Sequence, residues 1–105
     1  MIGVDWSGLD DQLVTGWQQK QHIFEVPLYY VEYGMASLGA FQVLANALQG
    51  QKGAVAAYRR ALALGGSAKL PKLYEAAGAR FAFDTETLQQ AVSLAMEQIA
   101  VLEKV

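Results

Sequence analysis

Cysteine is absent, which excludes disulfides and thiolate metal sites. Histidine occurs once, at His22. A lone imidazole cannot hold a catalytic zinc, which takes several protein ligands plus an open position. There is no His-Glu-x-x-His sequence, no phosphate-cradling glycine motif and no Gly-x-Ser-x-Gly turn. Charge is scarce: 17% of residues are charged against 53% hydrophobic, so apolar surface is expected to be covered by a partner or by a further part of the same protein. The net charge of −2 and the pI near 5.2 argue against nucleic acid, since Arg59–Arg60 and Lys69/Lys72 are too few for a basic patch. The apolar run Gly34–Leu48 is interrupted by Ser37, Gln42 and Asn46 and falls short of the roughly 20 residues a membrane span requires. Asp5, Asp10 and Asp11 stand where a signal peptide would carry basic residues, so a soluble cytoplasmic protein is the expectation.

What is present is helical periodicity. The 105 residues suit one domain. Residues 1–8 read as irregular, with Gly3 and Gly8 flanking Asp5-Trp6-Ser7, and Ser7 with Asp10 is a helix-start signal. A first helix is expected to reach about Gln21, with Leu13, Trp17 and Phe24 on one face. Pro27 breaks the chain around Glu25–Val26 and opens a central helix at about 27–48. Glu32, Gly39, Gln42 and Asn46 share one narrow stripe of that helix, and nearly everything else on it is apolar or aromatic, the pattern of a helix in the middle of a bundle. Gly34, Ala36, Ser37, Gly39 and Ala40 are small enough for close helix approach.

Gly50 and its neighbours read as a turn, followed by a helix from about 53 to 64 that buries Val55, Tyr58 and Leu62 and turns Arg59 and Arg60 outward. Gly65-Gly66-Ser67 ends it. Pro71 opens a short helix carrying Leu73, Tyr74 and Ala77 and stopped by Gly78. Residues 80–83 read as an extended link with Phe81 and Phe83 packed inward, because no partner strand exists. Asp84 is a good N-cap for a last helix on which Leu88, Val92, Ala95, Ile99 and Leu102 recur at steps of four and three. Together these predict an all-α bundle of about five helices. The segment 54–65 has the look of half a tetratricopeptide unit, but no second copy follows at a period of about 34 residues.

The residues that could carry chemistry lie between His22 and Tyr33. His22 reads either as an ordinary surface or partly buried histidine with one hydrogen bond or as a proton carrier. On a continuous helix Tyr29 and Tyr30 would converge with Tyr33 on one side, as core aromatics or as the wall of a polar cavity shared with His22. Three phenols within five residues is polar for a core, because each buried hydroxyl needs a partner. Glu32 reads as a surface acid, and Asp10 and Asp11 as helix-start charges.

The stretch HIFEVPLYYVEYG, continuing into MASLGAFQVL, resembles the C-terminal part of the oligoendopeptidase F family of zinc metallopeptidases, relatives of thimet oligopeptidase. The similarity extends upstream to VDWSG and downstream through AYRRALALGGS, LPKLYEAAGARF and FDTETL, nearly the whole chain. The resemblance implies that Tyr33 and Tyr30, with His22 beside them, stabilise the oxyanion formed when zinc-bound water attacks a peptide carbonyl. It also implies that Tyr29 and His22 help hold the substrate. In the family the zinc is bound upstream by a His-Glu-x-x-His helix and a further glutamate, which this chain does not contain. The expectation is therefore a C-terminal fragment of a metalloendopeptidase, inactive by itself and binding no zinc alone. It would complete a peptide-hydrolysing site with a zinc-bearing N-terminal part. The alternative is a non-catalytic helical interaction module that self-associates as a homo-oligomer.

Overall fold

A computed structural model describes residues 5–104, so the expectations resting on Gly3 and Val4 lie outside the described residues. The fold is all-α, with five α-helices: α1 Asp10–Thr15, α2 Gln21–Glu25, α3 Val31–Leu64, α4 Leu70–Ala76 and α5 Thr85–Leu102. No strand occurs among the described residues, and residues 80–83 form the expected link. Two compact units are distinguished, Met1–Glu32 and Tyr33–Val105.

In the first unit the expected helix start fails locally. The Ser7 hydroxyl and backbone N–H both donate to Asp5 Oδ1, at 2.6 and 2.9 Å, closing an Asx turn in place of a cap. These bonds hold the Asp5 carboxyl below its ordinary value. Helix α1 begins behind Leu9 with no side-chain cap. It gives way at Gly16 to a 3₁₀ turn, Gly16–Gln19, and Lys20 leaves helical geometry altogether. The single helix expected up to about Gln21 is thus two short ones. Trp17 nevertheless stacks on Phe24 at 5.7 Å across the break.

Pro27 acts as expected on Val26, which takes φ −136° and ψ 77°, but it does not open a helix. Residues 26–30 form turns, Leu28 sits at φ +72°, and α3 begins at Val31 instead of at Pro27 or Leu28. At Gly50 α3 is broken by an extended residue (φ −172°, ψ 87°), which divides it into a first arm, 31–49, and a second arm, 51–64. The expected turn there is a one-residue kink, and helix resumes at once.

The second unit is organised by the polar stripe of the first arm. Gln42 grips the backbone of Arg80 at both ends: its Oε1 accepts from Arg80 N–H at 2.7 Å, and its Nε2 donates to the Arg80 carbonyl at 3.0 Å. One turn on, Asn46 Nδ2 donates to the Gly78 carbonyl at 2.8 Å. Gly39 is buried, and a Cβ there would stand 2.8 Å from the Tyr74 ring. The Tyr74 hydroxyl donates to the Met35 carbonyl at 3.0 Å, and its ring meets Phe81 edge-on at 5.0 Å. Partial burial raises the Tyr74 pKa. The stripe therefore faces inward and carries α4 and the link after it. Gly78 allows this because φ +76° turns the chain sharply at the end of α4.

Helix α5 is capped as its sequence suggests. Asp84 Oδ1 accepts from Thr87 N–H at 2.8 Å and Thr87 Oγ1 at 2.9 Å, while Arg80 Nη2 reaches Asp84 Oδ2 and Thr87 Oγ1, each at 3.0 Å. Thr87 and Ala91 are its buried residues. The stripe expected to be buried points the other way: Leu88, Val92, Ile99 and Leu102 are all about half exposed or more. The same reversal holds in the second arm, where Ala54 and Ala57 are buried and Val55, Tyr58 and Leu62 are exposed. Phe83 is likewise exposed, its ring against Phe81 at 4.8 Å. The buried apolar residues are Ala54, Ala57, Ala77 and Ala91, and no large side chain among the described residues is fully buried. Alanine lets backbones approach closely but contributes little apolar area, and many of the leucines, valines and aromatics stay exposed.

Replacing Gln42 by leucine removes both bonds to Arg80 and is expected to cost about 1–2 kcal/mol in urea unfolding, whereas an exposed glutamine such as Gln89 can be changed to leucine without loss. The Thr87 backbone N–H, then its hydroxyl, then Arg80 hold the Asp84 carboxyl below its ordinary value of 3.8. A depressed folded-state pKa stabilises the fold above the ordinary value, and that stabilisation is lost as pH falls through the lower folded value. Asp84→Asn is therefore expected to lower stability at pH 7 and to flatten the acid limb of a stability profile below about pH 4.

Candidate functional site

His22 is placed by α2, the one-and-a-half-turn helix that follows the break at Lys20, and Gln21 Nε2 donates to Glu25 Oε1 at 2.6 Å along it. His22 is half-buried. Tyr29 stacks on its imidazole, centroids 5.8 Å apart with planes 12° from parallel, and Tyr30 meets it edge-on at 6.1 Å and 64°. The cluster is built by the turn, not by helical spacing. Leu28 at φ +72° reverses the chain after Pro27, and Tyr29 N–H closes the turn on the Val26 carbonyl at 3.1 Å. This corrects the expectation that Tyr29 and Tyr30 share a helix face with Tyr33, since both precede the first helical residue.

Tyr29 and Tyr30 are each a little under half exposed, so both phenols border solvent beside the imidazole. Imidazole and phenol groups are of the kind that donate and accept hydrogen bonds to an extended peptide backbone. Tyr33 belongs to the second unit, on the first turn of α3, where Ser37 Oγ donates to its carbonyl at 2.7 Å and its ring is about half exposed. Glu32 sits exposed in the first turn of α3, where an acid complements the helix dipole. Among the described residues no three His, Cys, Asp or Glu side chains converge as a metal-binding group.

The second unit presents a feature that the sequence reading missed. Between the two arms of α3 and α4 lies an apolar groove of about 500 Å³, floored by Ala36, Gly39 and Ala40 and walled by Leu62, Leu70 and Leu73. Small residues at helical spacing in the first arm were its only signal in the sequence. No helix of the described residues is long and apolar enough to cross a membrane.

Leucine at positive φ carries a steric cost of about 1–2 kcal/mol, and Leu28 is 89% exposed, so its side chain gains almost nothing by burial. Leu28→Asn, which tolerates this conformation, is expected to stabilise the chain by up to about 1 kcal/mol in thermal unfolding. Comparison with known proteins finds no match: no protein-family model, curated protein or solved structure resembles the chain closely enough to count.

Proposed function

We propose that this chain is the C-terminal, metal-free portion of an oligoendopeptidase F-like peptidase, completing a peptide-binding site with a zinc-bearing part supplied by other polypeptide. The resemblance of residues 22–33 motivates the reading, and the His22–Tyr29–Tyr30 cluster is the observation that carries it. The resemblance gives Tyr33 the role of hydrogen-bonding the oxygen on which negative charge builds as a peptide carbonyl becomes tetrahedral, and the same resemblance assigns that role to Tyr30. His22 and Tyr29 would hold the backbone on either side. A preorganised donor aimed at that oxygen is worth about 3 kcal/mol. The exposed apolar surface fits the same reading, since a part cut from a larger interface leaves its large side chains outside.

A second reading has its own support. The exposed stripe of α5 and the groove of α3 and α4 are surfaces of the kind that helical interaction modules use, and need no catalytic partner. The two readings separate in one experiment. A zinc-bearing oligoendopeptidase F N-terminal segment is mixed with the wild-type chain and with Tyr33→Phe, and cleavage of a fluorogenic peptide is followed. The peptidase reading expects activity only in the mixture, reduced about a hundredfold in kcat/KM by Tyr33→Phe. Equal turnover with the variant would remove Tyr33 from the role, and no turnover in any mixture would favour the interaction module.

A further inference from the structure

We propose that Gly50 is a hinge through which two copies of this chain exchange halves: α3 straightens into one continuous helix, and the second arm with α4 and α5 of each copy packs on the first arm of the other. The inference depends on neither functional reading.

Connectivity comes first. The hydrogen bonds that organise the second unit all cross position 50: Gln42 to Arg80, Asn46 to Gly78 and Tyr74 to Met35. So does the close seat of Tyr74 against Gly39. The second arm also returns to the first, because a Cβ at Gly78 would stand 3.2 Å from Asn46 Nδ2 and 4.0 Å from Ala57 Cβ. Ala36 and Leu62, one from each arm, line the same groove. The first arm and everything after Gly50 are thus two halves that pack on each other and are joined by one residue. A second copy presents each half with the identical surface. Exchange therefore conserves every one of these contacts, and that identity selects another copy of this chain as the partner.

The hinge itself is small. Gly50 is the non-helical residue inside Val31–Leu64, and helix resumes at Gln51. A Cβ at Gly50 would meet nothing within 4 Å, so no packed neighbour dictates its conformation. Leu48, Gln49, Gln51 and Lys52 around it are good helix formers. Bringing Gly50 to helical dihedrals gives one helix of 34 residues and returns the carbonyls and N–H groups at the interruption to the helical ladder. Straightening also parts the two halves of one chain, since residues 37 and 63 then lie about 39 Å apart at the helical rise. The conserved contacts must in that form be made between copies. A connection with no loop residues to spare is the setting in which such exchange competes with folding back.

The full chain contains no cysteine, so Ser37→Cys and Ala63→Cys, both at exposed positions, carry a pair of spin labels without background. Labelled chains are refolded at high concentration with excess unlabelled chain, monomer and dimer are separated, and the label distance is read by double electron–electron resonance. The dimer is expected to give about 39 Å within one chain. The monomer is expected to give a far shorter distance, because the neighbouring Ala36 and Leu62 line one groove of about 500 Å³. Gly50→Ala favours helical dihedrals about fivefold at each hinge and is expected to tighten the dimer about twenty-five-fold in sedimentation. Gly53→Ala, at a position that is helical in both forms, is expected to leave dimerisation unchanged. A dimer that keeps the short distance overturns the hinge. So does a Gly50→Ala chain that dimerises no better than the wild type, or an equal gain from Gly53→Ala. Should Gly50→Ala fail to fold, insertion of Gly-Ser-Gly after Gly50 decides instead. The longer connection is expected to abolish the dimer, and dimerisation at the wild-type level overturns the exchange.

Discussion

The second unit depends on two amide side chains. Gln42 and Asn46, one helical turn apart, convert a helix surface into a template for irregular backbone, because an amide can donate and accept towards a peptide unit at once. The link after α4 takes two of its backbone bonds from α4 carbonyls, and these side chains supply pairing at the Gly78 carbonyl and at both polar groups of Arg80. Once 78–80 is fixed, Arg80 is placed to brace the cap of α5, and Phe81 to pack on Tyr74. Loss of the grip would free the path of the chain between two helices, not just one contact.

This arrangement inverts the usual amphipathic helix. The stripe that looks like solvent-facing surface is the one turned inward, and the apolar faces are left outside. The inversion follows from what each side meets. Polar backbone in the link needs polar partners, and the Gln42–Asn46 stripe supplies those that the α4 carbonyls of Tyr74 and Glu75 do not.

Much of the fold was legible in the sequence, and what was not legible has identifiable causes. Pro71, Gly78 and Asp84 mark helix ends through constraints internal to the residue or its nearest neighbours, so α4 and α5 begin and end where the sequence places them. Burial is not local in that sense. The spacing of Leu88, Val92, Ile99 and Leu102 identifies one face of α5 without saying whether this chain supplies a surface to meet it. The His22 cluster shows a third case. Its members were legible as residues, but their geometry comes from Leu28 in a left-handed conformation, which nothing about a leucine announces. The groove went unread because a floor of alanine and glycine looks the same in sequence as ordinary helix packing.

A buried set made of alanine has a thermodynamic consequence. The heat-capacity change of unfolding follows the apolar area newly exposed to water, and here most of the large apolar side chains already meet water in the folded chain. Unfolding of the isolated chain therefore carries a heat-capacity increment small for its length, with a broad transition and a shallow dependence on denaturant. The larger negative increment belongs to whatever event covers these faces, so in this protein the calorimetric signature of a hydrophobic core is displaced from folding to association.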